Sequence, residues 1–329
     1  MDPHGRSSPD PGVGEKFTRV IEAWQETSGS HARHEAELLS GGRHATALLL
    51  RATDRSTSSV VAKVRPRGEL DLERAIHEVV LPQLGVETPR FLGFHAGDDG
   101  DVLFLEYVGS VEFLPFDPEH QAAAGTWLGT CHAASARASI PGLIPRRSLD
   151  DDRAELSATR SRLAATLESS VVGAEGAPLV ARVLDLLERA AQHWPEWVER
   201  TATVPQVLTH GAFVSRNVRM RAEGRTLVTL PFDWDHAAVR SPAVDLARAW
   251  GRLRGFAANA SLARYRAALA ANGLPLDSSI VADIATLGTV IRAAAGIGWL
   301  IPSLTEDRLD HPLVDLDAYR QALEGVLRT

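Results

Sequence analysis

The hydrophobic pattern of the chain changes once, close to residue 109. Before this point, short apolar runs rich in β-branched residues are separated by glycine and other turn-forming residues. A short helix is predicted around residues 17–24, ahead of these runs, and residues 70–84 carry apolar side chains at helical spacing among them. The pattern therefore predicts a small sheet with one covering helix, in the order β, β, β, α, β, β.

After residue 109, alanine-, leucine- and arginine-rich stretches predict a mainly helical region. The exception is 207–235, where short β-type runs alternate with loops, a usual setting for residues that do chemistry. We predict an α+β protein with a disordered tail at 1–16, a β-rich domain at 17–108 and a helical domain at 109–329. The Pro-, Gly- and Ser-rich tail resembles neither a signal peptide nor a membrane anchor.

Charge and cysteine content narrow the class of protein. A formal net charge of -7 argues against a basic nucleic-acid surface, and the single cysteine, Cys131, cannot form an intrachain disulfide. Residues 284–304 approach membrane-spanning length but contain Arg292 and several glycines, which favours a buried helix. We expect a cytoplasmic protein that binds neither nucleic acid nor a membrane.

Two neighbouring segments carry the strongest functional signal, THGAFVSRN and LPFDWDHAAVRSPAVDLARAW. Asn217 and Asp233 offer the oxygen ligands that Mg²⁺ prefers, and magnesium neutralises phosphate oxygens during phosphoryl transfer. Such a site also needs a carboxylate that orients the attacking hydroxyl and accepts its proton.

These segments resemble the signature of the aminoglycoside-phosphotransferase and choline-kinase family, which has a bilobal, protein-kinase-like fold. His210, Gly211 and Asn217 match the catalytic motif, but the position of the catalytic aspartate holds Ala212. The resemblance further implies a metal ligand at Asp233. It also implies a structural aspartate at Asp245, which is followed by Leu246 and Ala247.

Lys63 is the expected phosphate-binding lysine in the first domain. The chain uses lysine only at Lys16 and Lys63, and Lys63 lies within the apolar run VVAKV. Kinase-like folds place on this strand the lysine that contacts the α- and β-phosphates. We expect Glu78 on the following helix to orient it by an ion pair, with Glu73 as the alternative.

The resemblance also assigns the rest of the nucleotide site. The segment 40–46 resembles the loop over the triphosphate, where glycines allow close approach of the backbone to phosphates. DVLFLEYVGS resembles the fifth strand and hinge, whose backbone would meet the adenine. The residues implied are Ser40, Gly41 and Gly42 in the loop and Leu105, Glu106 and Val108 at the hinge. His132 is expected to support the catalytic loop.

Three interpretations of Ala212 remain open. In the first, the natural protein carries aspartate there and this chain is an engineered knock-out. In the second, the chain is a pseudokinase that binds nucleotide and acts as a scaffold or as the partner subunit of another enzyme. In the third, it is a slow kinase, since a general base typically contributes about 10²–10⁴-fold. Ser215, Asp235 and His236 are the nearby candidates for a substitute base.

The sequence constrains the molecule that accepts the phosphoryl group less than it constrains the nucleotide site. The expected cofactors are ATP (or GTP) and Mg²⁺, and the expected acceptor is a hydroxyl on a small molecule or a peptide, in bacterial natural-product metabolism or resistance. Asp150–Asp152 are interpreted as a solvated helix start rather than a site for a polycation. Trp250 and Trp299 could form an aromatic cage, but we expect both in the core.

Overall fold

The structure, a computed structural model, describes residues 11–41, 45–53, 59–168, 172–247, 260–305 and 310–328. The chain forms two compact units. The first contains Met1–Val79 and Pro89–Val108, and the second contains Val80–Thr88 and Gly109–Thr329.

The first unit is a five-stranded antiparallel sheet in the order β1-β2-β3-β5-β4. Its strands are β1 (His34–Gly41), β2 (Thr46–Ala52), β3 (Val60–Arg65), β4 (Phe91–Gly97) and β5 (Gly100–Glu106). Helix α1 (Pro11–Ser28) precedes the sheet, and α2 (Asp71–Ala75) follows β3 and continues into a π-helical turn, Ile76–Val80. The element order is the predicted one, although α1 begins within the segment assigned to the tail.

Side chains on alternate positions of β5 face opposite sides of this sheet. Phe104 packs with Trp24 of α1 and with Leu48 and Ala62 of the neighbouring strands. Leu103 instead joins the cluster on the other face that includes Leu70, at the start of α2. This period of two is the expected result for a strand buried on both faces.

The second unit is mainly helical. Its helices are α3 (Leu81–Leu84), α4 (Pro118–Ser135), α5 (Leu149–Ala165), α6 (Gly173–Arg200), α7 (Leu262–Ala271), α8 (Ser278–Leu300) and α9 (Asp310–Leu327). Its strands are β6 (Val207–Thr209), β7 (Val218–Glu223), β8 (Thr226–Pro231) and β9 (Ala238–Arg240). The strands form two antiparallel pairs, β6 with β9 and β7 with β8.

Helix α8 lies in the interior of the second unit. The segment Ser278–Leu304 is long and apolar enough to cross a membrane by length and composition, but 72% of its most apolar window is buried within the protein. Burial on this scale is characteristic of a core helix, as the sequence predicts. Arg292, in the middle of α8, is also buried.

Candidate active site

Lys63 and Glu73 form a buried ion pair in the first unit. The Nζ of Lys63 lies 2.6 Å from the Oε2 of Glu73, and their side chains are only 12% and 1% exposed. Lys63 is on β3 and Glu73 is on α2. A lysine on the third strand that is oriented by a helix glutamate is the arrangement by which kinase-like sites present a cation to nucleotide phosphates.

The expectation that Glu78 orients Lys63 is wrong. The Oε2 of Glu78 instead accepts a hydrogen bond of 2.8 Å from the Nε of Arg74, on the exposed side of the helix. Residues 73 and 78 are five apart, so in an α-helix they lie about 140° apart around the axis. The π-helical turn that begins at Ile76 changes this phase further, and only Glu73 faces the sheet.

The other nucleotide positions lie at strand ends. Ser40 and Gly41 end β1, where they pair with Ala47 and Thr46 after a register irregularity; Gly42 is outside the described residues. Leu105 is buried on β5, and the N–H of Glu106 donates to the carbonyl oxygen of Arg90 at 2.9 Å. Val108 follows as a partly buried residue at the end of the first unit.

The loop after β6 is anchored by the carboxylate of Asp245. Its Oδ2 accepts a hydrogen bond from the N–H of His210 at 2.7 Å, and its Oδ1 accepts one from the N–H of Gly211 at 2.9 Å. Burial alone would raise the pKa of Asp245, but hydrogen bonds from the His132 side chain and the His210 backbone outweigh it, so the pKa lies below its usual value. An ionised Asp245 therefore fixes the start of the loop.

His132 supports this anchor, as expected. It is buried on α4, with Nε2 3.4 Å from the Oδ2 of Asp245 and Nδ1 3.0 Å from the hydroxyl of Tyr265. The result is a buried chain of polar groups from α7 through α4 to the loop. Buried polar chains of this kind fix a backbone conformation when each group has a partner.

Both ring nitrogens of His210 form hydrogen bonds with backbone groups. Nε2 donates to the carbonyl oxygen of Phe232 at 2.9 Å, and Nδ1 accepts from the N–H of Ala212 at 3.3 Å. Burial lowers the pKa of His210, so the ring is neutral, as this pair of bonds requires. It also packs on the Trp234 ring with centroids 4.5 Å apart. This geometry favours a loop-forming role for His210 over a direct chemical one.

Ala212 is buried, and its flanking peptide groups are hydrogen-bonded. The Nη1 of Arg292 donates to the carbonyl oxygen of Gly211. The carbonyl oxygen of Ala212 accepts from the Nδ2 of Asn217 at 3.1 Å and from the N–H of Val214 at 2.8 Å. The backbone is thus fixed at a position whose methyl side chain can neither accept nor donate a proton.

Gly211 is required by both its conformation and its surroundings. Its φ of 75° lies in the left-handed region, and a Cβ there would overlap the carbonyl group of His236. The loop therefore packs directly against the segment that follows Asp233.

The β7–β8 hairpin brings the two predicted metal ligands together. Val218 pairs with Pro231, and the N–H of Phe232 donates to the carbonyl oxygen of Asn217 at 3.0 Å, so Asn217 and Asp233 flank the open end of the hairpin. Because the Nδ2 of Asn217 is bonded to the loop, its amide oxygen is the atom suited to a cation. Amide and carboxylate oxygens form a donor set that fits Mg²⁺.

Asp233 has an unusual backbone conformation. It is the one non-glycine residue with positive φ in the described parts of the chain, at 68°. Such a conformation costs of order 1 kcal/mol or more and is concentrated at functional sites. The strained backbone therefore supports a functional role for Asp233. The sequence contains no signal for this conformation.

Comparison with known proteins places this chain in a family. Residues 35–278 match the family described as "Phosphotransferase enzyme family". The chain belongs to this family. No curated protein matches the sequence significantly.

Solved structures confirm the protein-kinase-like fold of this phosphotransferase family member. A choline kinase from Cryptosporidium parvum has a TM-score of 0.63 at 10% identity, covering 95% of this chain and 96% of its own. A macrolide 2'-phosphotransferase from Brachybacterium faecium has a TM-score of 0.56 at 18% identity, covering 94% and 97%. A spectinomycin phosphotransferase has a TM-score of 0.57 at 11% identity, covering 94% and 96%. At these identities the likeness establishes the fold alone.

The candidate substitute bases of this family member lie close in sequence to Asp233, the predicted metal ligand. Asp235 and His236 follow Asp233 within three residues, and Ser215 begins the short 3₁₀ turn that ends at Asn217. Burial lowers the pKa of His236, and its ring stacks on Trp299 with centroids 5.6 Å apart. None of these contacts singles out one of the three as a base.

Two expectations about acceptor residues are corrected. Trp299 is 57% exposed and not in the core, since it lies at the end of α8, where the helix reaches the surface; Trp250 is outside the described residues. Asp152 is not solvated, because it is buried and forms an ion pair with Arg240 of β9. The helix start itself is made by Ser148 and Asp151, which form a capping box.

Arg292 is the site residue whose role sequence reasoning missed. Its only signal was a charge within an apolar helix, and this served to argue against a membrane span. The same charge also implies a buried hydrogen-bond acceptor, since an unpaired buried cation is very costly. Only the fold identifies that acceptor as the carbonyl group of Gly211.

Proposed function

We propose that this chain is an ATP-dependent phosphotransferase whose transfer of the γ-phosphoryl group to a hydroxyl is impaired at residue 212. The observation that carries the proposal is the catalytic loop itself. Asp245, Asn217 and Arg292 hold its backbone by hydrogen bonds, while Ala212 occupies the position that the family motif gives to aspartate.

The remaining residues have defined roles in this proposal. Lys63, oriented by Glu73, contacts the α- and β-phosphates, and the segment 40–46 is assigned to the triphosphate by its resemblance to the family's loop. Asn217 and Asp233 would hold a magnesium ion, which would neutralise charge on the phosphate oxygens. Leu105, Glu106 and Val108 contact the base. ATP is favoured over GTP because the similar spectinomycin phosphotransferase was determined with ADP.

Ala212 affects the chemical step rather than nucleotide binding. An aspartate there would accept the hydroxyl proton and orient the oxygen for attack, and a methyl group can do neither. Positioning and electrostatic stabilisation by Lys63 and magnesium remain, and in phosphoryl transfer these supply most of the rate enhancement. We therefore expect slow transfer with intact nucleotide binding.

The acceptor is a hydroxyl-bearing small molecule or peptide. Similar structures include kinases named for choline, macrolides and spectinomycin, so the fold accommodates chemically diverse acceptors. A role in bacterial natural-product metabolism or resistance is consistent with this range.

A pseudokinase is the second candidate, and Ala212 is the observation that favours it. Such a protein would bind nucleotide and act as a scaffold or as the partner subunit of an enzyme. Its loop would need no carboxylate at residue 212, and the described hydrogen bonds of the loop require none.

The decisive experiment compares the chain with its Ala212→Asp variant. ADP release would be measured with choline, spectinomycin, a macrolide and a serine-containing peptide as acceptors, with Lys63→Met in each background as the control. We expect Ala212→Asp to raise the rate about 10²–10⁴-fold with at least one acceptor. A variant that is no faster, in a protein still stabilised against thermal unfolding by ATP and Mg²⁺, would favour the pseudokinase.

A further inference from the structure

The loop around residue 212 is held from three sides. Asp245 accepts hydrogen bonds from the backbone N–H groups of His210 and Gly211. The side chain of Asn217 donates to the carbonyl oxygen of Ala212. The third hold comes from α8, where Arg292 donates to the carbonyl oxygen of Gly211.

Burying the charged side chain of Arg292 costs desolvation free energy. Arg292 lies in a helix that is apolar enough to cross a membrane, is 7% exposed, and has a pKa lowered by burial, yet an arginine at neutral pH remains charged. A methionine or leucine would fill the same space without the desolvation cost of a cation. Within the described residues, the guanidinium reaches a loop carbonyl and also lies over the Trp299 ring, 6.0 Å from its centroid.

The two carbonyl groups held by Arg292 and Asn217 flank the Cα atom of residue 212. Each carbonyl belongs to a planar peptide unit, so fixing its direction fixes the plane. The two planes together define φ and ψ at this residue and therefore the direction of its Cα–Cβ bond. Arg292 controls the first plane and Asn217 controls the second.

We propose that Arg292 is a positioning residue that sets the direction in which the side chain at position 212 points. It acts through the Gly211 carbonyl and touches no reacting atom. The kinetic consequence rests on the proposed function, whereas the structural consequence does not. Helix α8 thereby connects its exposed Trp299 end to the backbone of the catalytic loop.

Amide hydrogen exchange tests the structural part without any activity. In Arg292→Met, we expect exchange at His210, Gly211, Ala212 and Val214 to accelerate at least about tenfold relative to amides in the interior of α6. Arg292→Lys, which keeps a donor, should restore part of the protection. The matched control is Arg240→Met, which removes a buried arginine that pairs with Asp152 rather than with the loop. Equal acceleration in both methionine variants would overturn the proposal.

Kinetics test the functional part in two backgrounds. In the Ala212→Asp background, Arg292→Lys should lower kcat at least about tenfold while the KM for ATP changes less than about twofold. In the original background the same change should cause a loss of kcat at least about threefold smaller, because there is no carboxylate to orient. An equal loss in both backgrounds would contradict positioning. If Ala212→Asp gains no activity, the proposed transfer fails, and amide exchange alone decides the role of Arg292.

Discussion

Gly288 of α8 lies directly against the backbone of Ala243, two residues before Asp245. A Cβ atom at Gly288 would overlap the carbonyl group of Ala243 and lie 3.3 Å from its Cα atom. Ala243 and Asp245 share one short 3₁₀ turn, Pro242–Asp245. The close approach of α8 therefore sets the position of the carboxylate that anchors the loop around Ala212.

Gly288→Ala should destabilise the protein by about 1–3 kcal/mol, because backbone atoms cannot give way as a flexible side chain can. Urea unfolding measures the change. The control is Gly14→Ala on α1, where nothing lies within 4 Å of the added Cβ and the helix should be unchanged or stabilised by up to about 1 kcal/mol. Similar values for the two variants would show that α8 does not pack tightly against this turn.

Glu73→Gln should be far more harmful than Glu78→Gln. Glu73 is 1% exposed and pairs with Lys63, so the substitution removes the carboxylate charge beside a largely buried cation, at a cost of about 3 kcal/mol. Glu78 forms an exposed pair with Arg74, whose loss should cost under about 0.5 kcal/mol.

The same two variants separate the roles in nucleotide binding. Thermal-shift titration with ATP and Mg²⁺ should show weaker binding for Glu73→Gln and unchanged binding for Glu78→Gln. Weaker binding for Glu78→Gln alone would restore the original expectation from sequence.

Asp233→Asn should weaken magnesium-dependent binding of ATP. Replacing one carboxylate ligand by a neutral amide should raise the Kd for ATP in the presence of Mg²⁺ at least about tenfold, with little change when magnesium is chelated. Isothermal titration with and without magnesium measures both. Asp277→Asn, at an exposed position that makes no capping hydrogen bond before α8, is the control. A magnesium-independent loss would instead indicate a folding defect.

Acid should destabilise the protein over the range in which free histidine titrates. Burial lowers the pKa of His210 and His236 in the folded state, so below about pH 6.5 the unfolded state binds protons that the folded state does not. The free energy of unfolding should therefore fall as the pH is lowered from about 7 to 5. Urea unfolding at several pH values checks this, and His236→Asn should reduce the slope. An increase in stability on acidification would contradict the assignment.

Much of this protein could be predicted from sequence because its signals are local. The strand-like runs and the one helical stretch determined the order of elements in the first unit, and the joint spacing of His210, Asn217 and Asp233 identified the family. Lysine scarcity together with an apolar strand singled out Lys63. Each of these inferences depends on neighbouring residues, whose spacing a sequence displays directly.

Which residues form ion pairs and hydrogen bonds with residues far away in the chain was decided only by the tertiary structure. Helix phase and a π-helical turn placed Glu73, not Glu78, against Lys63. Packing of α8 placed Arg292 on the Gly211 carbonyl and left Trp299 exposed. The sequence by itself determined which residue types are available for phosphoryl transfer and that an aspartate is missing from its expected place. Which charges meet was determined by the three-dimensional fold, because an ion pair or a buried hydrogen bond depends on directions and distances between elements that are far apart in the chain.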